Sequence, residues 1–417
     1  MCEILEEAAR ESWGNPVTRR SMLATVAAAT AAGAAGVVGA TPASAAQPAV
    51  SPAGKGAAKH HTSRLVLLGT AGGPIWYPGT DRLGISSAVV VGDAVYLVDF
   101  GDGAGHRFKQ AALIPEELQT VGGNWGEEKT RAFFVTHLHS DHISDYFHHF
   151  VLGWSNGLRR RPADMPKIQV YGPGRRTDEN GKDVLMPIWT LPGQTAPDIP
   201  VNNPENPVPG IVDTTKYFMQ AYSLDINDRM RDGRNAGLDT YFDVHDIAIP
   251  TGHGYHPNTN HTPAMEPWKI YEDDRVKVTC TLVDHYPVVP AFGFRIDSDQ
   301  GSAVFSGDTA PSDNLVRLAK GADILVHEVI AEQWVQSLYP KPWTDNNIAQ
   351  MNHLMTAHTL PEDCGRIAER AGVKTLVLSH IVPGFAPDSW LKPAQKHFSG
   401  KLVIGRDLME IGIGRRR

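Results

Sequence analysis

Four side chains able to ligate a metal crowd into six residues of Val135–Tyr146, VTHLHSDHISDY: His137, His139, Asp141 and His142. Neutral imidazole and carboxylate suit zinc and its borderline neighbours, and no cysteine stands among them to demand a softer ion. Four such donors exceed what one open catalytic ion needs, so the spacing points to two ions. The preceding run Arg131–Thr136, RAFFVT, is apolar and β-favouring, and should be a buried strand that empties into the ligand loop. The alternative is a His-rich surface loop, and the recurrence of candidate ligands later in the chain argues against it.

Those later candidates also sit where strands end. Val276–Asp284, VKVTCTLVD, runs into His285, and Ala303–Phe305 leads into the tight loop Ser306-Gly307-Asp308-Thr309. Ile324–His327 ends at Glu328, and Leu376–Ser379 ends at His380. Further strands are expected at Arg64–Gly69, Ser87–Val91, Ala94–Phe100, Ile168–Gly172 and Phe292–Ile296, with Gly92-Asp93 closing a hairpin. Helices are expected over Gly105–Leu113, Ile143–Trp154, Asp313–Ala319 and Pro361–Ala371, with His148 and His149 on a helix surface or in packing. Strand-rich halves with helices between them predict an α/β fold in which two sheets form an αβ/βα sandwich with the site on one edge. From Arg175 to about Trp268 the composition turns to Pro, Asn, Asp and Gly, which reads as an insertion able to cover the site. One amphipathic helix is expected there over Thr214–Asp232, and His245, His253, His256 and His261 read as structural or solvent-facing, the alternative being that the Thr251–His256 stretch reaches the metals or substrate.

The ordered set of motifs resembles the metallo-β-lactamase superfamily, whose signature is His-x-His-x-Asp-His after a strand, and within it the ribonuclease Z-like and type III arylsulfatase-like branch. The likeness runs over Leu65–Gly174 and Val276–Pro383, through LGTAGGP, DFGDG, DHYPVVPAFGFRI, FSGDT, LVHEV and LSHIVPG. It implies a four-layer αβ/βα sandwich and two divalent ions, with zinc favoured. It assigns His137, His139 and His285 to the first ion, Asp141, His142 and His380 to the second, and Asp308 to both. It implies hydrolysis by a hydroxide shared between the ions, since binding to a dication lowers the pKa of water towards about 7. Asp141 would also orient that nucleophile, and Asp99 would either orient a ligating histidine from behind or serve as a turn carboxylate. His358 would stand beside the leaving group, with Glu328 forming a relay to it, the alternative being a histidine that serves only the amino terminus of a helix.

For the substrate, a net charge of −7 argues against a nucleic-acid surface. The His-Ser-Asp-His-x-x-Asp-Tyr form of the motif resembles arylsulfatase-like members. The expected partner is therefore a small-molecule ester, an aryl sulfate or phosphodiester-type compound, with no nucleic acid and a homodimer left open. The alternatives are a ribonuclease Z-like phosphodiesterase, a lactone or thioester hydrolase and, outside enzymes, a metal-binding interaction protein. Against the first stands the short stretch from Arg295 to Phe305, where ribonuclease Z-like enzymes carry a tRNA-gripping arm. Thr18-Arg19-Arg20-Ser21-Met22-Leu23, an Ala-rich stretch and Ala43-Ser44-Ala45 read as a twin-arginine signal over residues 1–45. Residues 46–61 read as a flexible leader and 62–417 as the hydrolase domain, exported to the cell envelope or beyond with no membrane anchor after cleavage. Cys280 and Cys364 make no disulfide framework, and Cys280 is expected in a strand core.

Overall fold

Alternation along the first strand sets up the layers. Leu65 and Leu67 pack into the core between two sheets, whereas Val66 and Leu68 pack into a second core under helices. In the computed structural model, which describes residues 61–414 apart from Pro192, Ser63–Gly69 (β1), Ser86–Val91 (β2), Ala94–Val98 (β3), Thr130–Phe134 (β4), Ile168–Pro173 (β5) and Phe242–Ile247 (β6) belong to one sheet. Trp268–Glu272 (β7), Val276–Leu282 (β8), Phe292–Ser298 (β9), Gly301–Phe305 (β10), Ile324–Ile330 (β11), Thr375–Val382 (β12) and Lys401–Ile404 (β13) form the other, and Met409–Gly412 (β14) returns to the first. The orders are β14-β1-β2-β3-β4-β5-β6 and β13-β12-β11-β10-β9-β8-β7. The β3–β6 pairs and the β10–β13 pairs are parallel, so their carboxyl ends open on shared edges.

Phe134, Val278, Cys280, Phe294 and Val326 fill the inter-sheet core. Ala104–Ala111 (α1), Ser140–Ile143 (α2), His148–Val151 (α3), Ile211–Ala221 (α4) and Ser223–Arg231 (α5) accompany the first sheet. Asp313–Leu318 (α6), Glu332–Ser337 (α7), Asp345–Thr356 (α8), Pro361–Ala371 (α9) and Asp388–Leu391 (α10) accompany the second, where Leu315, Trp334, Leu354, Ile367 and Leu391 share its outer core. This is the expected four-layer αβ/βα sandwich. Cys280 and Cys364 are buried free thiols. The stretch expected as a signal, 1–45, and all but the last residue of the expected leader, 46–61, lie outside the described residues.

Three local differences from the sequence reading have physical causes. The helix expected over Ile143–Trp154 is broken into α2, α3 and a further turn at Gly153–Asn156. Its first turn is tied sideways: Phe100 N donates to the His142 carbonyl at 2.8 Å, and Asp145 N donates to the Phe100 carbonyl at 2.9 Å. Those groups are lost to a continuous helical ladder. The helix expected over Thr214–Asp232 divides at Tyr222, where the Ser223 hydroxyl donates to the Met219 and Gln220 carbonyls, a back-bonding that bends helices. Within the segment 175–268, β6 pairs with β5 through six residues and so extends the first sheet. Between β9 and β10 only Asp299 and Gln300 intervene.

Candidate metal centre

The site is assembled from strand ends of both sheets. After β4, Thr136 starts the loop that carries His137 and His139, and α2 presents Asp141 and His142. The second sheet adds His285 after β8, Asp308 after β10, and His380 within β12. These side chains form two groups whose donor atoms lie within 4.8 Å of one another: His137, His139, His285 and Asp308, and Asp141, His142, Asp308 and His380. All seven residues singled out as ligands are thus brought together.

Asp308 stands between the groups with one oxygen turned to each. Its Oδ2 lies 3.8 Å from His137 Nε2 and 3.9 Å from His285 Nε2. Its Oδ1 lies 3.3 Å from His142 Nε2 and 3.2 Å from His380 Nε2. Asp141 Oδ2 completes the second group, 3.7 Å from His142 Nε2 and 3.3 Å from His380 Nε2.

Outer hydrogen bonds aim the rings. His285 Nδ1 donates to the Ala357 carbonyl at 3.0 Å, which turns the Nε2 lone pair inward. His142 Nδ1 lies 3.0 Å from Asp99 Oδ2, and Asp99 also accepts from the Thr136 amide and hydroxyl at 2.8 and 2.9 Å. Of the two roles open to Asp99, these contacts are those of the orienting one. Gly73 N donates to Asp141 Oδ2 at 3.0 Å, and a side chain at neighbouring Gly72 would collide with the His380 ring. His380 itself holds a left-handed conformation, φ 45°, unusual for a residue with a Cβ.

The donor chemistry fits divalent ions. His137 Nε2, His139 Nδ1 and His285 Nε2 converge, with His139 Nδ1 at 3.0 and 3.1 Å from the other two. Burial and the neighbouring imidazoles press His137 well down. Burial, with the His285 ring beside it, lowers His139 to about 3, and burial takes His285 to about 4, so all three rings favour the neutral form that ligates. Burial works against charge on His142 too, but the Asp308, Asp99 and Asp141 carboxylates outweigh it and hold that ring well up. Burial likewise opposes charge on Asp308, and the His380 and His142 rings reverse this and hold it well below the usual carboxylate range. His142 Nε2 and Asp308 Oδ1 are buried and, although 3.3 Å apart, lack the alignment of a hydrogen bond. Inward-facing donors without hydrogen-bond partners are what an ion would satisfy.

His358 lines the cleft above Asp141 and Asp308, together with Tyr77, His139 and Trp334. Its Nδ1 lies 3.1 Å from Glu328 Oε1, which also accepts from the Thr309 and Thr359 amides at 3.1 Å each. Burial lowers the His358 pKa, but the Glu328 carboxylate more than reverses this and raises it to about 9. Glu328 is behind His358 and does not line that cleft, but it lines a second cavity with His142, Asp308 and His380. Tyr77 was not singled out in the sequence: its hydroxyl is buried beside Asp141 with no hydrogen-bond partner among the described residues. The one signal for it is its place four residues after the Gly72-Gly73 turn.

The candidate histidines of the 175–268 segment go elsewhere. His245 stacks on Tyr171 and lies 2.9 Å from Gln169 Oε1, while His261 Nε2 lies 2.7 Å from Asp284 Oδ1. His256 accepts from the Asn258 amide, and His253 is exposed. His149 is buried against Glu127 at 2.6 Å, and His148 pairs with Asp145 at 3.1 Å.

A family model described as a beta-lactamase superfamily domain matches residues 232–381, a span that holds His285, Asp308, Glu328, His358 and His380. Ribonuclease Z of Mycobacterium bovis is 29% identical over 356 residues, covering 85% of this chain and 99% of that relative. Both matches make the chain similar to the metallo-β-lactamase superfamily, whose fold it has. Ribonuclease Z of Mycobacterium marinum is 28% identical over 84% of this chain and 98% of its own length, so the likeness is to the superfamily's ribonuclease Z-like branch. Among solved structures, human tRNase Z, short form, aligns at 18% identity and TM-score 0.49 over 84% of this chain and 100% of that one. This metallo-β-lactamase-fold protein is a hydrolase with clusters of metal-type donors. The expectation of a small-molecule ester partner with no nucleic acid is overturned: relatives matched over nearly their whole length are named as ribonucleases. The aryl sulfate reading finds no support in these matches. Net charge misled because it sums the whole surface, whereas a phosphodiester meets only the local field of the site.

Proposed function

We propose that the protein is a ribonuclease Z-like phosphodiesterase that hydrolyses RNA with two divalent ions, zinc favoured. The observation that carries this reading is Asp308, buried between two donor sets with one carboxylate oxygen turned to each. In the proposal His137, His139 and His285 hold one ion, Asp141, His142 and His380 the other, and Asp308 both. Such a pair, when bound, supplies Lewis acidity at the phosphoryl oxygens and lowers the pKa of water to about 7. The chain's own groups do the rest. Asp141, fixed by the Gly73 amide, orients the attacking oxygen. His358 keeps Nδ1 on Glu328 and offers Nε2 to the cleft. As the attacking water gives up one proton to solvent, its oxygen bonds to phosphorus and the bond to the leaving oxygen breaks, the proton on Nε2 passes to that oxygen, and Glu328 stabilises the imidazolium beforehand. The Tyr77 hydroxyl offers a hydrogen bond to a phosphoryl oxygen at the same place.

The test is cleavage of RNA oligonucleotides by the zinc-loaded chain, with products mapped by mass. Cleavage that stops on chelation and returns with zinc is expected. A chain holding two ions that cleaves no RNA would end the reading. The address is proposed separately: Arg19 and Arg20 direct export of the folded chain. The Arg19→Lys, Arg20→Lys double variant should then stay in the cytoplasmic fraction.

A further inference from the structure

Two further clefts open from the metal centre, one on each side. On the Asp141 side lies a cleft of about 350 Å³, bounded by Trp76, Tyr77, Ser140 and Asp141. On the side of His139 and His285 lies one of about 430 Å³, bounded by Met186, Trp189, Tyr286 and His353. Both are of ligand size. Each holds an exposed tryptophan: Trp76 is 86% exposed, and Trp189, 37% exposed, has its ring 4.8 Å from that of His353 at a tilt of 30°. Large aromatic rings left in water beside a reaction centre are costly unless a ligand covers them.

What these clefts lack is equally informative. The single Lys or Arg among the residues lining them is Arg82, and its guanidinium is buried and spent on the Thr70 hydroxyl and the Gly405 carbonyl. The β9–β10 connection is a two-residue turn, so no arm rises there to reach a distant part of a substrate. A duplex is held mainly through phosphates by cations, whereas an unpaired strand can be held by stacking its bases on aromatic side chains.

We infer that the site takes an unpaired RNA strand, its scissile phosphate at Asp308 and its two flanking bases stacked on Trp76 and Trp189. This rests on the RNA phosphodiesterase reading. The strand then crosses from one cleft to the other over both donor sets, and base stacking does the holding that surface cations do elsewhere.

The test compares the zinc-loaded full chain on a short unstructured RNA, on the same sequence in a perfect duplex, and on methyl 4-nitrophenyl phosphate, which has one small ring and no bases. The single strand should be cut at least tenfold more efficiently than the duplex. Trp76→Ala and Trp189→Ala should each raise KM for the single strand about tenfold, a larger effect than on the small diester. Trp76→Phe and Trp189→Phe should restore most of it, which a merely structural role would not require. Equal cleavage of duplex and single strand, or Ala variants with unchanged KM on RNA, would overturn the inference and leave the RNA reading standing. Turnover of the small diester with no cleavage of either RNA would overturn both.

Discussion

The two donor sets share Asp308 and one loop, yet they are built on different principles. The set around His137, His139 and His285 gathers three imidazoles to one carboxylate. Its His285 is braced by a neutral backbone carbonyl, that of Ala357. The set around His142 and His380 has two imidazoles to two carboxylates, and His142 is braced by a third, Asp99. A carboxylate behind a ligating imidazole raises its basicity, whereas a carbonyl mainly fixes its tautomer. The first set is therefore held by geometry and burial, the second by charge. This predicts that one side chain disables both sets and that another separates them.

The largest effect should come from Asp308→Ala, which removes the oxygen facing each set. Metal analysis should show both ions lost and RNA cleavage at background; retention of one ion at full occupancy would break the bridging role. Next, His358→Ala should keep both ions yet lower turnover by about a hundredfold, more for poor leaving groups than for activated ones. Equal losses across leaving groups would remove its role as proton donor. Asp99→Asn should weaken the ion at His142 and His380 by about 10–100-fold and leave the other nearly unchanged. A matching loss at both sets in a zinc titration would contradict the contrast in bracing. The smallest effect is expected from Tyr77→Phe, about tenfold in kcat with metal content intact, the scale of one hydrogen bond to a charged group. No change in kcat would return that hydroxyl to a packing role.

How much of this could be read in the chain depended on whether a signal was local. The inner strands announced themselves because both faces are buried, as in β2 and β11. The ligands stood at their ends in a recognisable order. Edge strands did not: β6, FDVHDI, buries only its two terminal residues, and its polar alternation gave no apolar run to notice. The break after His142 was invisible because its cause is a pair of hydrogen bonds to Phe100, forty-two residues away in sequence. Tyr77 was missed for the same reason: nothing around it marks it until the fold sets its hydroxyl beside Asp141. Trp76 and Trp189 likewise lie in loops without periodicity, and only the folded chain brings them to opposite sides of one centre. Deleting the whole 175–268 segment is a poor probe of specificity, since β6 would leave the sheet with it.

The candidate ligands come from His137–His142 and, more than a hundred residues further on, from His285, Asp308 and His380, with each sheet contributing to both sets. Ions bound there would act as cross-links that exist only in the folded chain, so the free metal concentration becomes a setting for fold stability as well as for rate. For one site the stabilisation grows as RT ln(1 + [L]/Kd), about 2.7 kcal/mol when free metal is a hundred times Kd. Melting temperature should then climb with the logarithm of free zinc, and chelation should loosen the edge where the sheets meet before it loosens either hydrophobic interior.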